Sequence, residues 1–177
     1  MNETLVAPAV EAPSEADAAF EMLYRESRDD VFAYVAGLLH DRSATEDVTA
    51  QAFERAYRRR SSFDARRGTH RAWLFGIARN AALDELRRRK RLTELVGDPA
   101  DAGAATAEES AESALRRTVL RGAIAKLAPR ERELVALKFF AGLANTEIAS
   151  VVGTSESNVG TRLHRVLEKL REACDEA

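Results

Sequence analysis

The spacing of apolar residues is the feature that most constrains the fold of this chain. Along both halves, apolar residues recur every three or four positions, as in Val31, Val35 and Leu38, and no segment alternates apolar and polar residues as a half-buried strand does. Between the halves, residues 97–114 are mostly Ala, Gly, Ser and acids, with too little apolar surface to offset the entropy of ordering them. The pattern predicts an all-α fold of two small helical domains joined by a flexible linker.

Three helices are predicted in the first half. The first begins at Ala16, and the second follows a short polar break in which Ser43 or Thr45 offers an N-cap. After a loop rich in Ser, Asp, Arg and Gly, a third helix starts near Thr69 and ends in the basic run 87–91. The three helices form one small bundle.

The second half has the pattern of a helix-turn-helix. An apolar helix ends near Leu127, and Pro129 suits the first turn of the next helix. A short helix containing Ala149 is followed by Gly153, which tolerates a positive φ at the turn, and Ser155 caps the last helix. The residues predicted to face the core are Leu134, Val135, Leu137, Phe140, Ile148, Val159, Leu163, Val166, Leu167 and Leu170.

The exposed start of the last helix carries short polar side chains followed by basic ones. Such a face suits the reading of base edges at the helix start and phosphate contact further along. Its candidate DNA-contacting residues are Ser157, Asn158, Thr161, Arg162, His164 and Arg165. The alternative is a packed helix pair with a solvated polar face.

The net charge of −2 conceals a strongly uneven distribution. Residues 1–54 carry a charge of −9, residues 55–91 carry +10, residues 92–115 carry −6 and residues 116–177 carry +3. Alternating acidic and basic blocks of this kind indicate contact with nucleic acid.

The basic block surrounds a set of aromatic residues. Phe63, His70 and Trp73 lie among its arginines, and aromatic faces can stack on unpaired bases while basic groups neutralise phosphates. We expect Phe75 to be a core residue, whereas Trp73 fits the core or the DNA surface equally well. The amide of Asn80 could bond a base edge, although a surface asparagine often has no such role.

Several other classes of protein are disfavoured. The single Cys174 excludes an internal disulfide and a thiolate metal cluster, and a reducing cytoplasm fits this composition. His40, His70 and His164 are too far apart in sequence for metal-ligand spacing, and neither a phosphate-binding loop nor a Ser–His–acid set stands out. With no run of 18 apolar residues, we expect no membrane insertion, no metal, no cofactor and no enzyme activity.

The two halves together resemble the extracytoplasmic-function (ECF) group of the bacterial sigma-70 family. Residues 44–57 (AEDVTAQAFERAY) resemble the family's polymerase-binding helix, and residues 71–91 resemble its promoter-melting and minus-ten-reading helix. Residues 127–172 resemble its minus-thirty-five-reading domain. The resemblance implies a tail (1–17), sigma region 2 (18–91), an acidic linker (92–111) and sigma region 4 (112–177).

The resemblance also implies roles for particular residues. Asp47, Val48, Gln51, Ala52 and Phe53 would bind the core RNA polymerase. The minus-ten DNA would be contacted by Phe63, Arg66, Arg67, His70, Arg71, Trp73, Arg79 and Asn80. The candidate residues of the last helix would read the minus-thirty-five element. The linker, whose acids would imitate RNA, would thread toward the RNA exit path, and an anti-sigma factor would be a further partner.

The chain departs from the family pattern at three places. Ala50 and Gln51 stand where many relatives have Gln-Glu, and Gly160 stands where Lys or Arg is usual. The usual serine cap of the first motif helix is Ala144, which leaves Asn145 or Thr146 as substitutes. These departures affect the promoter sequence and affinity rather than the class.

The implied function is that of a sigma factor, which binds core RNA polymerase, directs it to specific promoters and helps open the minus-ten DNA. The alternative is a stand-alone helix-turn-helix regulator whose first half is a dimerisation or sensing domain. Such a regulator would bind a palindromic site as a dimer and would not need a polymerase-binding helix.

Overall fold

Seven helices, α1–α7, form the regular structure in the computed structural model, which describes residues 14–96 and 111–175. The predicted all-α fold is confirmed. Most of the predicted tail and the acidic linker, with its proposed imitation of RNA, lie outside the described residues. The helices are α1 (Glu15–Leu39), α2 (Arg42–Arg58), α3 (His70–Val96), α4 (Ala111–Lys126), α5 (Pro129–Val135, continued by a π-helical turn at Ala136–Phe140), α6 (Asn145–Val152) and α7 (Glu156–Asp175).

The first domain is a bundle of α1, α2 and α3. Its core combines the predicted stripe of α1 with small residues of α3, since Ala78, Ala81 and Ala82 are buried and let the neighbouring helices approach closely. Phe75 is fully buried, as predicted, and packs edge-on against Tyr34 at 5.6 Å between ring centroids. This aromatic pair therefore joins α1 to α3 inside the core.

The N-cap of α2 differs from the prediction. The cap is Asp41, whose extended backbone brings its carboxylate to the Ala44 N–H at 2.9 Å. Ser43 and Thr45 both lie inside the helix, and the buried Thr45 hydroxyl donates to the Asp41 carbonyl at 2.6 Å. Asp41 is the cap because it has an extended backbone directly before the first helical residue, Arg42.

The second domain contains α4, α5, α6 and α7, and its helix-turn-helix is confirmed. Gly153 adopts a left-handed conformation (φ 72°, ψ 47°) between α6 and α7, and the Ser155 hydroxyl accepts from the Asn158 N–H at 3.3 Å. The predicted substitute caps of α6 are wrong: Ala144 occupies the cap position, and the Glu147 carboxylate accepts its N–H at 2.9 Å.

Two residues predicted to be in the core are exposed. Leu167 lies outward on α7, and Phe140, at the end of α5, is 42% exposed with part of its ring against Gly37 of α1. Leu167 directly follows the buried Val166, so the helical rotation of about 100° per residue carries it off the buried stripe.

The end of α5 widens into the π-helical turn at Ala136–Phe140. The Ala141 N–H donates to the Ala136 carbonyl at 3.0 Å, five residues back, in place of the usual four. This turn displaces Phe140 from the α-helical register assumed in the sequence prediction and brings it beside Gly37 of α1.

The two domains pack against each other. The turn at Ala136–Phe140 contacts α1, α6 contacts α3, and residues such as Leu137 and Ile148 belong to one apolar core with Val31. Within residues 14–96 and 111–175, no helix is both long and apolar enough to cross a membrane.

Candidate nucleic-acid interface

An aromatic cluster forms on the loop between α2 and α3. The Phe63 ring stacks on the His70 ring, with centroids 3.5 Å apart and planes at 25°, and meets the edge of Trp73 at 5.8 Å. Phe63 and Trp73 are half-buried, whereas His70 is exposed at the first position of α3. The sequence left Trp73 open between core and surface, and the structure places it at the boundary.

The loop is held in shape by local bonds. The Asp64 carboxylate accepts the Arg66 N–H at 3.0 Å, and the Thr69 hydroxyl accepts the Ala72 N–H at 3.0 Å, which caps α3. Gly68 adopts φ 140°, a backbone conformation that favours glycine, and it turns the chain toward α3. The cluster is therefore presented by a short, hydrogen-bonded loop.

Grooves flank the aromatic cluster on both sides. One lies against the start of α1 and includes Phe20, Leu23 and Arg60. The other runs along α3 past Ile77 to the exposed Asn80. Ser150 and Val151 of α6 form one wall of this second groove, so the second domain borders the surface on which Asn80 lies.

The predicted arginines of this surface fall into two groups. Arg66 and Arg67 are exposed, and no ion-pair partner approaches either guanidinium among the residues described. Arg71 instead donates to the Asp30 carboxylate at 2.6 Å and to the Ala141 carbonyl. Arg79 forms a two-bond ion pair with Glu133, so Arg71 and Arg79 are held by protein groups while Arg66 and Arg67 are free to meet an anion.

The basic run at the end of α3 is also partly neutralised. Arg88 donates to Glu85 at 2.7 Å and Arg89 donates to Glu85 at 2.9 Å, and Arg89 also approaches Asp41 at 3.3 Å. These bonds, led by the one from Arg88, lower the pKa of Glu85 to about 2 despite its partial burial. The cationic run is therefore less available to DNA than its sequence indicates.

The last helix presents most of its predicted residues to solvent. Ser157, Thr161, Arg162 and Arg165 are exposed on α7. His164 is 75% exposed and lies 3.3 Å from Glu168. The predicted contacts of this helix are therefore mostly free to reach a ligand.

Two positions on α7, Asn158 and Gly160, do not present a free polar side chain to solvent. Asn158 is half-buried, and its amide donates to the Thr154 hydroxyl at 2.9 Å. A Cβ on Gly160 would come no closer than 3.8 Å to any neighbour, so the glycine is not required by packing.

The residues predicted to bind the polymerase lie partly in the core. Val48, Ala52 and Phe53 are buried, whereas Asp47 and Gln51 are exposed on α2. Sequence reasoning missed the neighbouring surface of α1, where Tyr24 and Phe32 are partly exposed and line a groove with Phe53. The sequence carried a signal for Phe32, which falls beside the buried Val31 rather than on its stripe, whereas Tyr24 lies on the apolar stripe of α1.

Comparisons with known proteins match both halves of the chain. The family model for sigma-70 region 2 matches residues 23–92, and that for sigma-70 region 4 matches residues 117–170. The ECF RNA polymerase sigma factor SigL of Mycobacterium tuberculosis is 31% identical over 167 residues, which cover 92% of this chain and 93% of SigL. The chain belongs to the ECF sigma factors.

Other relatives support this assignment at different levels. The ECF RNA polymerase sigma factor BldN of Streptomyces coelicolor is 34% identical over 159 residues, which cover 88% of this chain but 60% of BldN. The sigma factor RpoE of Bartonella quintana, solved in complex with the anti-sigma factor NepR, has a TM-score of 0.75 at 21% identity and covers 89% of this chain and 97% of RpoE. CnrH, solved with the cytosolic domain of CnrY, has a TM-score of 0.66 at 24% identity, covering 90% and 89%. These two structures share the fold.

Membership in the ECF sigma factors decides between the two interpretations of the sequence. Region 2 occupies the half of the chain that the alternative assigned to dimerisation or sensing, so the stand-alone regulator is not favoured. A sigma factor is a DNA-binding subunit for transcription initiation and is not an enzyme.

Proposed function

We propose that this ECF sigma factor binds core RNA polymerase through α1 and α2, captures unpaired minus-ten bases with the Phe63 cluster, and reads the minus-thirty-five element with α7. The observation that carries the proposal is the stack of the half-buried Phe63 on the exposed His70, flanked by the free cations Arg66 and Arg67. An aromatic surface beside uncompensated positive charge suits a single strand with its bases turned outward.

The cluster can favour DNA opening through binding energy alone. Stacking of one base on an aromatic side chain contributes about 1–3 kcal/mol, which is comparable to the cost of unpairing one base step. Arg66 and Arg67 can neutralise the phosphates on either side of the captured base. Asn80, at the far end of the groove along α3, is positioned for a neighbouring base edge.

The α7 helix supplies the contacts to duplex DNA. Its first turns carry the exposed Ser157 and Thr161, which suit base edges, and Arg162 and Arg165 suit phosphates. Gly160 leaves a gap in this face where a long side chain would otherwise reach the groove. Contact between region 4 and the promoter therefore depends on the residues around Gly160. Core polymerase sets the distance between the Phe63 cluster, which binds the minus-ten strand, and α7, which binds the minus-thirty-five element.

The partners follow from this assignment. The polymerase would dock on Asp47 and Gln51 and on the aromatic groove of Tyr24 and Phe32 beside them. Val48, Ala52 and Phe53 would support that surface from the core. RpoE was solved with an anti-sigma factor, and we expect a comparable inhibitor for this chain, with both proteins acting in the cytoplasm where polymerase and DNA meet.

The experiment is transcription by core polymerase with and without this chain, on promoters found by mapping transcript starts after forced expression. The wild-type chain should produce promoter-specific run-off transcripts. Phe63→Ala should reduce opening of the minus-ten region, read as permanganate reactivity of its thymines, by about tenfold, since one stacked base is worth about 1–3 kcal/mol.

The matched control is Phe63→Tyr, which keeps the ring and should keep the opening. Equal permanganate reactivity for wild type and Phe63→Ala would refute base capture by this cluster. Binding of the chain alone, as a dimer on a palindromic site and with no effect of polymerase, would restore the stand-alone regulator.

A further inference from the structure

The surface of α7 that faces away from the core has a position without a side chain. Gly160 lies three residues after Ser157 and four before His164, so the three residues share one face of the helix. Ser157 and His164 are exposed, and Gly160 leaves only backbone between them. A glycine inside a helix lowers its stability, and no neighbour is close enough to require one here. What the glycine provides is therefore space.

One side chain of α6 borders this space. A Cβ on Gly160 would lie 3.8 Å from the Nδ2 atom of Asn145, and among the residues described no other part of the fold would come within 4 Å of it. Asn145 is the first residue of α6, and α6 packs against α7 in the helix-turn-helix. The Asn145 amide therefore lies beside the gap in α7, at the edge of the surface predicted to contact DNA.

The Asn145 amide has no hydrogen-bond partner. Its Oδ1 atom is buried without a hydrogen bond, and no group in residues 14–96 or 111–175 bonds to its Nδ2 atom. An amide oxygen that has lost water and gained no donor is costly and rare in folded proteins. The side chain as a whole is half-buried, so it can turn toward the gap. A ligand that offers both a donor and an acceptor would satisfy this amide.

The asparagine predicted from the sequence to contact DNA is in the opposite state. Asn158 of α7 donates its amide to the Thr154 hydroxyl at 2.9 Å. Its Nδ2 atom can turn to a base only by giving up that bond, whereas the Asn145 amide gives up none. Of these two asparagines in the helix-turn-helix, Asn145 is the one with unused hydrogen-bonding capacity.

We propose that Asn145 is a specificity-determining residue for the minus-thirty-five element, and that its amide contacts an adenine edge across the gap at Gly160. The inference rests on the proposed function, because it assumes that α7 enters the major groove. The amide can donate from Nδ2 to adenine N7 and accept at Oδ1 from the adenine N6 amino group. Adenine is the base whose major-groove edge offers this pair of groups. In this chain the first helix of the motif thus fills a place that Lys or Arg usually fills from position 160.

The test selects minus-thirty-five sequences with holoenzyme made from core polymerase and the full chain, on a double-stranded library whose minus-ten region is fixed. The wild-type chain should select an A·T pair that Asn145→Ala no longer prefers. The ratio of binding to A·T over the other pairs should fall about tenfold at that position and stay unchanged elsewhere. Thr146→Ala, the matched change of the next exposed side chain, should keep the wild-type preference.

A modified base tests which atom is contacted. In 7-deazaadenine a C–H group replaces the N7 acceptor. Placed at the selected adenine, it should weaken binding of the wild-type holoenzyme by about fivefold and leave binding of the Asn145→Ala holoenzyme unchanged. Equal weakening for both holoenzymes overturns the proposal. A lower affinity of Asn145→Ala for every sequence, with the A·T preference retained, also overturns it and indicates a phosphate contact instead.

Substitutions at Gly160 test the gap without changing Asn145. The side chain in Gly160→Lys would fill the gap, so this variant should lose the A·T preference as Asn145→Ala does, and the double variant should lose no more. The methyl group in Gly160→Ala would make only ordinary contact with the Asn145 amide and should leave the preference intact. Retention of the preference in Gly160→Lys overturns the proposal. A wild-type holoenzyme that selects no minus-thirty-five sequence overturns the proposed function instead.

Discussion

At the scale of single residues, Glu85 explains why the most basic stretch of the sequence is not its most available one. Its side chain is 12% exposed and binds both Arg88 and Arg89, and these bonds set its low pKa. Arg87 pairs with Asp84, so three of the five cations in the run are occupied within the helix. Charge counted along a sequence overstates the charge that a partner meets.

The pKa of Glu85 predicts an acid-sensitive contribution to stability. Because its folded pKa of about 2 is below the ordinary value of 4.5, the stabilisation is complete above pH 4.5 and is lost as pH falls toward 2. Glu85→Gln should cost about 1 kcal/mol at pH 7, the sum expected for two such pairs, and progressively less as pH falls through 2. Urea unfolding at a series of pH values measures the difference, and a difference that stays constant to pH 2 contradicts it.

At the scale of helices and turns, the two glycines of the DNA-reading motif have opposite roles. Gly153 ends α6 in a left-handed conformation that side chains adopt at a cost, whereas Gly160 lies inside α7 with ordinary backbone, and a Cβ there would make ordinary contact with Asn145 at 3.8 Å. Only the first glycine is required by the geometry of the motif.

This difference gives a matched pair of substitutions. Gly160→Ala should stabilise the chain by about 0.5–1 kcal/mol, because alanine loses less conformational freedom in a helix. Gly153→Ala should destabilise it by about 1–2 kcal/mol, because its φ is positive. Midpoints of urea unfolding report both, and a loss of stability in Gly160→Ala would indicate a backbone requirement at that position.

The helices themselves were predictable because their signals are local. The apolar period, Pro129 at the start of α5 and Gly153 at the turn each act within a few residues, and the structure confirms all three. The errors arose where neighbouring groups compete. Asp41 caps α2 in place of Ser43 or Thr45 because its backbone is extended where the helix begins. The identity of a single residue does not determine that backbone conformation.

The candidate site was less predictable than the helices. The pairing of Arg79 with Glu133 joins residues 54 positions apart, and it depends on how the domains meet. Nothing in the spacing of either residue indicates the other. The exposure of Tyr24 is likewise set by the surface that α2 leaves uncovered. The availability of each side chain on these surfaces therefore depends on tertiary contacts that no local pattern encodes.

At the scale of the whole molecule, the distribution of free charge predicts the salt dependence of promoter binding. In the holoenzyme, replacing an exposed cation that meets phosphate should lower the slope of log affinity against log salt by about 0.7 for single-stranded DNA. Arg67→Gln should show this change, whereas Arg88→Gln should show much less, because Glu85 already neutralises Arg88. Fluorescence titrations at several salt concentrations measure both slopes, and equal slopes would contradict the division into free and held arginines.

The π-helical turn at Ala136–Phe140 has a consequence for how this lineage can change. A π turn holds one residue more than the α-helical turn it replaces, so deleting a single codon there would restore a regular helix and rotate the C-terminal part of the domain by about 100°. The helix-turn-helix would survive such a deletion, but Phe140 and Ala141 would no longer face α1 and Arg71. Deletion of one residue can thus change how the two domains pack while the turn between α6 and α7 is kept.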